Sequence, residues 1–292
     1  MPRAKATAAV SAAAVCIFAA AAASGFAAKR NSDLQPRRNT SAAEIVLPPQ
    51  IETEKPATLA VLDGEGRLLP GVNVDLSQGQ RVTTDSTGRA RFVVTSAAGQ
   101  FTAQATLGGA RATTEVIPNS SASPTEVTIS QSPRFTELGG RIIVRGGGFR
   151  GDADINKVTI DGLPALVLAA SPVSLVVLPG ASVVPGAASL EIDVAGRKCN
   201  PVTLTFVSLS VEPQAIPIVE GKNNHLILSV RGTDKKLMLA VENRTPDVIE
   251  LAGGNIQRIM TNGGRRNVAV IEMRALRATD FSVVVKLAAE RQ

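Results

Sequence analysis

From Ile51 onward, apolar residues come in short runs, either alternating with polar ones or standing as brief solid blocks. Gly, Pro, Asn and Asp separate each run from the next, and no helix-length amphipathic stretch interrupts the series. Strand-length runs at this spacing are the pattern of β-sandwiches. Gly71-Val72-Asn73-Val74-Asp75-Leu76 shows the rule in miniature: its period of two puts Val72, Val74 and Leu76 on one face of a strand. The expected fold class is therefore all-β, built as tandem sandwiches.

The runs fall into three groups. The first, residues 51–118, holds the strand-like Ala57-Thr58-Leu59-Ala60-Val61-Leu62, the turn Asp63-Gly64-Glu65-Gly66, the tight loop Thr84-Asp85-Ser86-Thr87-Gly88 and the returning Arg89-Ala90-Arg91-Phe92-Val93-Val94. Asn119-Ser120-Ser121-Ala122-Ser123-Pro124 has the composition of a linker. The second group, 125–207, centres on Gly139-Gly140-Arg141-Ile142-Ile143-Val144-Arg145-Gly146-Gly147-Gly148-Phe149, followed by Lys157-Val158-Thr159-Ile160-Asp161-Gly162 and Pro185-Gly186. The third, 208–292, has strand runs at 226–230, 237–241, 268–273 and 281–285. Gly253-Gly254-Asn255 and Asn262-Gly263-Gly264 are turn signals, the second compatible with a hairpin.

Two stretches carry family resemblances. The second group resembles the IPT/TIG immunoglobulin-like domain over nearly all of residues 125–207; Asp152 to Asn156 depart from it as a more acidic loop. The first group, with its turns at Asp63–Gly66 and Thr84–Gly88, is similar to bacterial Ig-like and to carboxypeptidase-regulatory-like domains alike. These resemblances imply non-catalytic immunoglobulin-like sandwiches used for contacts and spacing. The third group shares the texture without a family signature and is expected to be a further Ig-like sandwich.

Residues 1–27 read as a signal peptide: Arg3 and Lys5, an Ala-rich run from Ala8 to Ala23, then Gly25-Phe26-Ala27, with cleavage expected after Ala27. Cys16, preceded by Val15, matches a lipoprotein cleavage box poorly. No other long apolar stretch exists, so the mature chain is expected to lack a membrane span and to be secreted, at the cell surface or extracellular, the periplasm included. Removing Arg3 and Lys5 takes the 31 basic residues to 29 against 25 acidic ones, a mild +4 that does not argue for nucleic acid. Residues 28–50, with Lys29, Arg30, Arg37 and Arg38, read as a disordered basic linker.

After cleavage Cys199 is the one remaining cysteine, so no intramolecular disulfide can form and apolar cores must hold the fold. The chain has no Trp, no Tyr and one histidine, His225. Sugar-binding surfaces and single-strand nucleic-acid platforms rely on exposed aromatic faces, so both ligand classes are disfavoured.

Several motifs invite a sharper reading. Gly146-Gly147-Gly148-Phe149-Arg150-Gly151 has the G-x-G-x-x-G spacing, but a dinucleotide cradle needs a helix next and a strand run follows instead. Arg150-Gly151-Asp152 matches an integrin-recognised tripeptide, and Asp152, Asp154 and Asn156 could ligate calcium; a solvated acidic loop explains both. His225 and Cys199 are too few for a zinc site or a catalytic constellation. No catalytic, cofactor-binding or metal residue is therefore expected, and no cofactor.

The sequence thus describes an exported, non-enzymatic binding or spacer module whose partner is a protein or an extracellular polymer, with no nucleic acid. The alternatives are an accessory polysaccharide- or peptide-binding component and, less favoured, a carboxylate-based hydrolase. The turns around Arg145 to Asn156 and Ser77 to Gly88 are the first loops to consider for contacts.

Overall fold

The computed structural model describes residues 5–7, 44–120, 126–212, 215–217 and 219–288. Apart from Lys5–Thr7, which pairs with Ala215–Pro217, the expected signal peptide 1–27, its cleavage point and the basic residues Lys29 to Arg38 lie outside the described residues. Every other described element is a β-strand except one 3-10 turn, Ala153–Ile155. None of the described helices is long and apolar enough to cross a membrane. The fold is all-β.

Three apolar cores organise it. In the first, the sheet containing Asn73–Leu76, Gly99–Ala105 and Arg111–Ile117 faces the strands Glu44–Val46, Pro56–Leu62 and Arg89–Val93. Ile51, Leu59, Val74, Phe92 and Phe101 fill the space between, with the two rings stacked at 5.4 Å. The burial along Asn73–Leu76 alternates as its sequence does. Asp63 makes the first turn by accepting hydrogen bonds from the backbone of Glu65 at 2.8 Å and Arg67 at 3.0 Å. Asp85 makes the second by accepting from the backbone of Thr87 at 2.8 Å.

The linker expected over 28–50 ends earlier than its composition suggests. Glu44–Val46 is a strand paired with Pro56–Leu62, and Ile45 and Val46 are buried. Pro48-Pro49 carries the chain from one sheet of the first sandwich to the other, where Gln50–Glu52 pairs in parallel with Arg111–Ile117. The apolar pair Ile45-Val46 is reason enough for this segment to pack, since leaving it in water costs about 1.5–3 kcal/mol per side chain.

The second core lies between the sheet of Thr128–Gln131, Ile142–Gly147 and Ser174–Leu178 and the sheet of Asn156–Ile160, Gly186–Val194 and Val202–Glu212. Leu163–Ala170 joins both, pairing with Asn156–Ile160 at its start and with Ser174–Leu178 at its end. Cys199 is buried here, its sulfur accepting from the Ile192 amide at 3.3 Å, and burial pushes the thiol pKa up. In the third core, Asn223–Arg231, Asn267–Ala275 and Ile249–Leu251 form one sheet, and Ile256–Met260, Met238–Asn243 and Val283–Leu287 form the other. Asn262-Gly263-Gly264 does not close a hairpin. The backbone of Asn262 and Val268 meets at 2.9 Å, yet the flanking strands Ile256–Met260 and Asn267–Ala275 leave for opposite sheets, each to bury its own apolar face.

The eleven-residue strand Val202–Glu212 runs without a break through 207 and 208. Its first half pairs with Gly186–Val194 in the second sandwich, and its second half pairs with Asn223–Arg231 in the third. Phe135–Glu137 lies parallel to Thr205, Phe206 and Val207 across this joint. Phe206, fully buried beside the crossing point, anchors it. Phe206→Ala should cost about 3–5 kcal/mol and lower the calorimetric melting of the second and third sandwiches together by roughly 10 °C. Separate transitions of which only one moves would contradict the shared strand.

Candidate functional site

The tempting glycine segment sits at a junction between sandwiches. Gly148 has a φ of +79°, which explains a glycine there. At Gly151 a Cβ would collide with the Pro56 carbonyl oxygen of the first sandwich. Thr58 Oγ1 donates to the Gly151 carbonyl at 2.5 Å. Of Arg150-Gly151-Asp152, Gly151 is thereby docked into a neighbouring fold and Asp152 is half-buried, while Arg150 stays exposed. The acidic residues that follow have basic partners: Asp154 meets Arg89 at 2.7 Å, and Asp152 pairs with Arg91. Asn156 ties the loop by donating to the carbonyls of Arg150 at 2.8 Å and Asp152 at 2.7 Å. The three oxygen-bearing side chains considered for calcium are thus spent on two arginines and the loop backbone.

Arg89, only 9% exposed, also donates to the Val167 carbonyl at 3.1 Å, so the charge that it buries is satisfied on two sides. Around it Ala60 and Leu62 pack on Leu168, Ala169 and Val176. Ser171 and Ser174 both donate to the Gln50 carbonyl, at 2.6 and 2.9 Å. Arg141 forms a two-point pair with Glu44 at 2.5 and 2.6 Å. The sequence carried a signal for this contact. Pro56–Leu62 is buried on both faces after its first residue, as are Val167–Ala170 and Ser174–Val177, and such solid apolar blocks differ from the alternation of a strand with one wet face.

The concavity best suited to a partner lies at the other joint. A cavity of about 780 Å³ opens between the second and third sandwiches. One wall is the outer face of Ile142–Gly147 with the residue before it: Arg141, Ile143 and Arg145 alternate outward while Ile142 and Val144 point into the core. The facing wall is the outer side of the third sandwich's smaller sheet, with Met238, Arg258 and Met260, and Lys236 beside it. The floor is the crossing segment Gln131 to Glu137. Glu137 is spent: its carboxylate accepts from the Leu287 amide. The Arg134 guanidinium lies over the Phe135 ring, 5.6 Å from its centre. Among the described residues, Arg145, Lys236 and Arg258 have no acidic partner within salt-bridge distance. Ile143 is 47% exposed and Met260 49%. The groove is therefore cationic and partly apolar, and none of its residues was singled out from sequence for this role except Arg145, as the start of a loop.

A second hollow of about 740 Å³ at the Gly253-Gly254-Asn255 turn is lined by Glu250, Glu272 and Arg274, charges of both signs. Its neighbour His225 lies exposed on Asn223–Arg231, opposite Glu272, in a different sandwich from Cys199. The Ser77 to Gly88 stretch is two turns on either side of the strand Arg81–Thr83: Ser77–Gln80 is exposed, whereas the second, Thr84–Gly88, buries Thr84 and Gly88.

No protein-family model and no curated protein matches this chain. Among solved structures, the plexin A4 extracellular region, domains 1 to 10, is similar at a TM-score of 0.34 and 13% identity, over 83% of this chain and 27% of that one. SGBP-B of the Bacteroides ovatus mixed-linkage glucan utilization locus, solved with a mixed-linkage heptasaccharide, is similar at 0.30 and 10% identity, over 84% and 75%. An auxiliary nutrient binding protein from Bacteroides thetaiotaomicron VPI-5482 is similar at 0.24 and 14%, over 53% and 39%. This chain spans about a quarter of the plexin region. At these scores the likenesses carry no argument about what the chain does.

Asp152→Asn with Asp154→Asn should lower the melting temperature of the first two sandwiches, and calcium at about 10 mM, above the range of weak extracellular sites, should leave the wild type unmoved. A rise in melting temperature with calcium would restore the metal reading. The hydrogen bond from Arg141 holds the Glu44 carboxyl below its ordinary pKa. Its contribution is present at neutral pH and is lost as the pH falls through that depressed value. Half-exposed as Glu44 is, Glu44→Gln should cost under about 1 kcal/mol at pH 7, and the two melting curves should merge in strong acid. A difference that persists unchanged at low pH would contradict the pairing.

Proposed function

We propose that the chain is an exported, non-enzymatic module that binds a partner outside the cytoplasm and spaces it from the surface. Its middle sandwich is read as an IPT/TIG domain, and its first as a bacterial Ig-like or carboxypeptidase-regulatory-like one. The observation that carries the reading is the joining of three cores into one hydrogen-bonded body, through Val202–Glu212 at one joint and Pro56–Leu62 with the Gly151 loop at the other. A spacer needs that stiffness, and loosely strung domains would not supply it.

Export rests on residues 1–27, and the absence of a catalytic role rests on the residues that chemistry would need. His225 sits on an exposed strand position in a different sandwich from Cys199, Cys199 is buried in a core, and the acidic loop is paired with arginines. The short Lys5–Thr7 pairing with Ala215–Pro217 belongs, on this reading, to the uncleaved chain alone.

The test is expression of the full chain with a C-terminal tag in a bacterial host, with fractionation and mass spectrometry of the product. The expected result is tagged protein outside the cytoplasm that begins after Ala27. Cytoplasmic protein with residues 1–27 intact, or turnover by the purified chain in a panel of hydrolase substrates, would overturn the proposal.

A further inference from the structure

We infer that the groove between the second and third sandwiches holds an extended acidic peptide segment of a partner protein, with aliphatic side chains between its carboxylates. This deepens the binding-module reading above and rests on it.

Charge selects the ligand class. Among the described residues, Arg134, Arg141, Arg145, Lys236 and Arg258 line the cavity with a single carboxylate, Glu137, which is already hydrogen-bonded to the Leu287 amide. Arg141 is neutralised by Glu44 and Arg134 lies on Phe135. That leaves Arg145 on one wall and Lys236 and Arg258 on the other as cations for an incoming anion. Within a concave site such charges are screened less than on open surface.

The apolar residues select a peptide over an acidic sugar. Ile143, Met238 and Met260 are exposed in the groove, on the same walls as the cations. Methionine and isoleucine suit aliphatic side chains, and methionine adapts to their shape. Sugars instead stack on open aromatic faces, and here the groove's one ring, Phe135, is covered by the Arg134 guanidinium. Spacing points the same way. Ile143 and Arg145 stand two residues apart on one face of a strand, roughly 6.6 Å, which is the repeat between same-side groups of an extended peptide. A carboxylate and an aliphatic group two positions apart on the ligand would meet both.

The joint holds the two walls in place. Val202–Glu212 runs through both sandwiches, and Phe135–Glu137, part of the floor, pairs with it. The peptide would then enter a preformed site without ordering the protein first, which favours affinity.

The test uses the full exported chain and fluorescence anisotropy with a short fluorescein-labelled peptide alternating Glu and Leu. Comparison probes are polyglutamate of equal charge, the matching Lys–Leu peptide and polygalacturonate. The Glu–Leu peptide should bind about tenfold or more tightly than polyglutamate, weaken as salt rises and be displaced poorly by polygalacturonate. The Lys–Leu peptide should not bind. Arg145→Glu with Arg258→Glu should weaken binding at least about tenfold, while Arg111→Glu, on the first sandwich, should leave it unchanged. Arg258→Glu alone, at an exposed position, should reproduce part of the loss with the melting temperature unmoved. Absence of peptide binding, insensitivity to both Arg258 variants, or tighter binding of polygalacturonate would overturn the inference. Export and cleavage after Ala27 do not depend on these side chains, so a failed groove is distinguishable from a failed module.

Discussion

Val202–Glu212 belongs to two sandwiches at once, and much of the molecule follows from that. Leu204 and Phe206 are buried in the second core, and Val207, Leu209 and Val211 in the third. Because the strand is hydrogen-bonded to Gly186–Val194 on one stretch and to Asn223–Arg231 on the next, bending at 207 would break ladder bonds that water could not fully replace. The angle between the sandwiches is thereby fixed, and with it the width of the groove whose floor lies against this strand.

The other joint works by different means. With Cys199 free, the first sandwich is held to the second by apolar blocks buried on both sides and by a set of polar contacts. Gln50 is met by two serines, Arg89 by Asp154 and the Val167 carbonyl, and Glu44 by Arg141. For Arg89, 9% exposed, removing Asp154 costs more than the pair contributes, because the guanidinium is left buried without its counter-charge. The acidic loop Asp152 to Asn156 finds its explanation here: it is a docking element.

Much of the fold was legible in the residues. Alternation in Asn73–Leu76, the Asx turns at Asp63 and Asp85, and the glycine-flanked Ile142–Gly147 strand follow from local chemistry, and local chemistry is what a sequence displays. The contacts between sandwiches were harder to see. Val167–Ala170 reads as a strand whichever partner covers its second face, and Ile45-Val46 is too short to stand out beside Pro48-Pro49. The groove was nearly invisible because its walls come from residues about a hundred positions apart. Arg141 and Arg145 look like ordinary solvent-facing residues of a half-buried strand. The one anomaly was Ile143, an aliphatic side chain at an outward position between them.

The central claim is that the three sandwiches form one stiff body, and a pair of spin labels tests it most directly. With Cys16→Ala and Cys199→Ala as background, labels at Thr113→Cys on the first sandwich and Arg265→Cys on the third, both exposed sites, allow the distance between them to be measured by pulsed electron resonance. A single narrow distance distribution is the result this account requires. A broad or multiple distribution would show the sandwiches to be flexibly strung, and would remove the fixed groove along with the spacer.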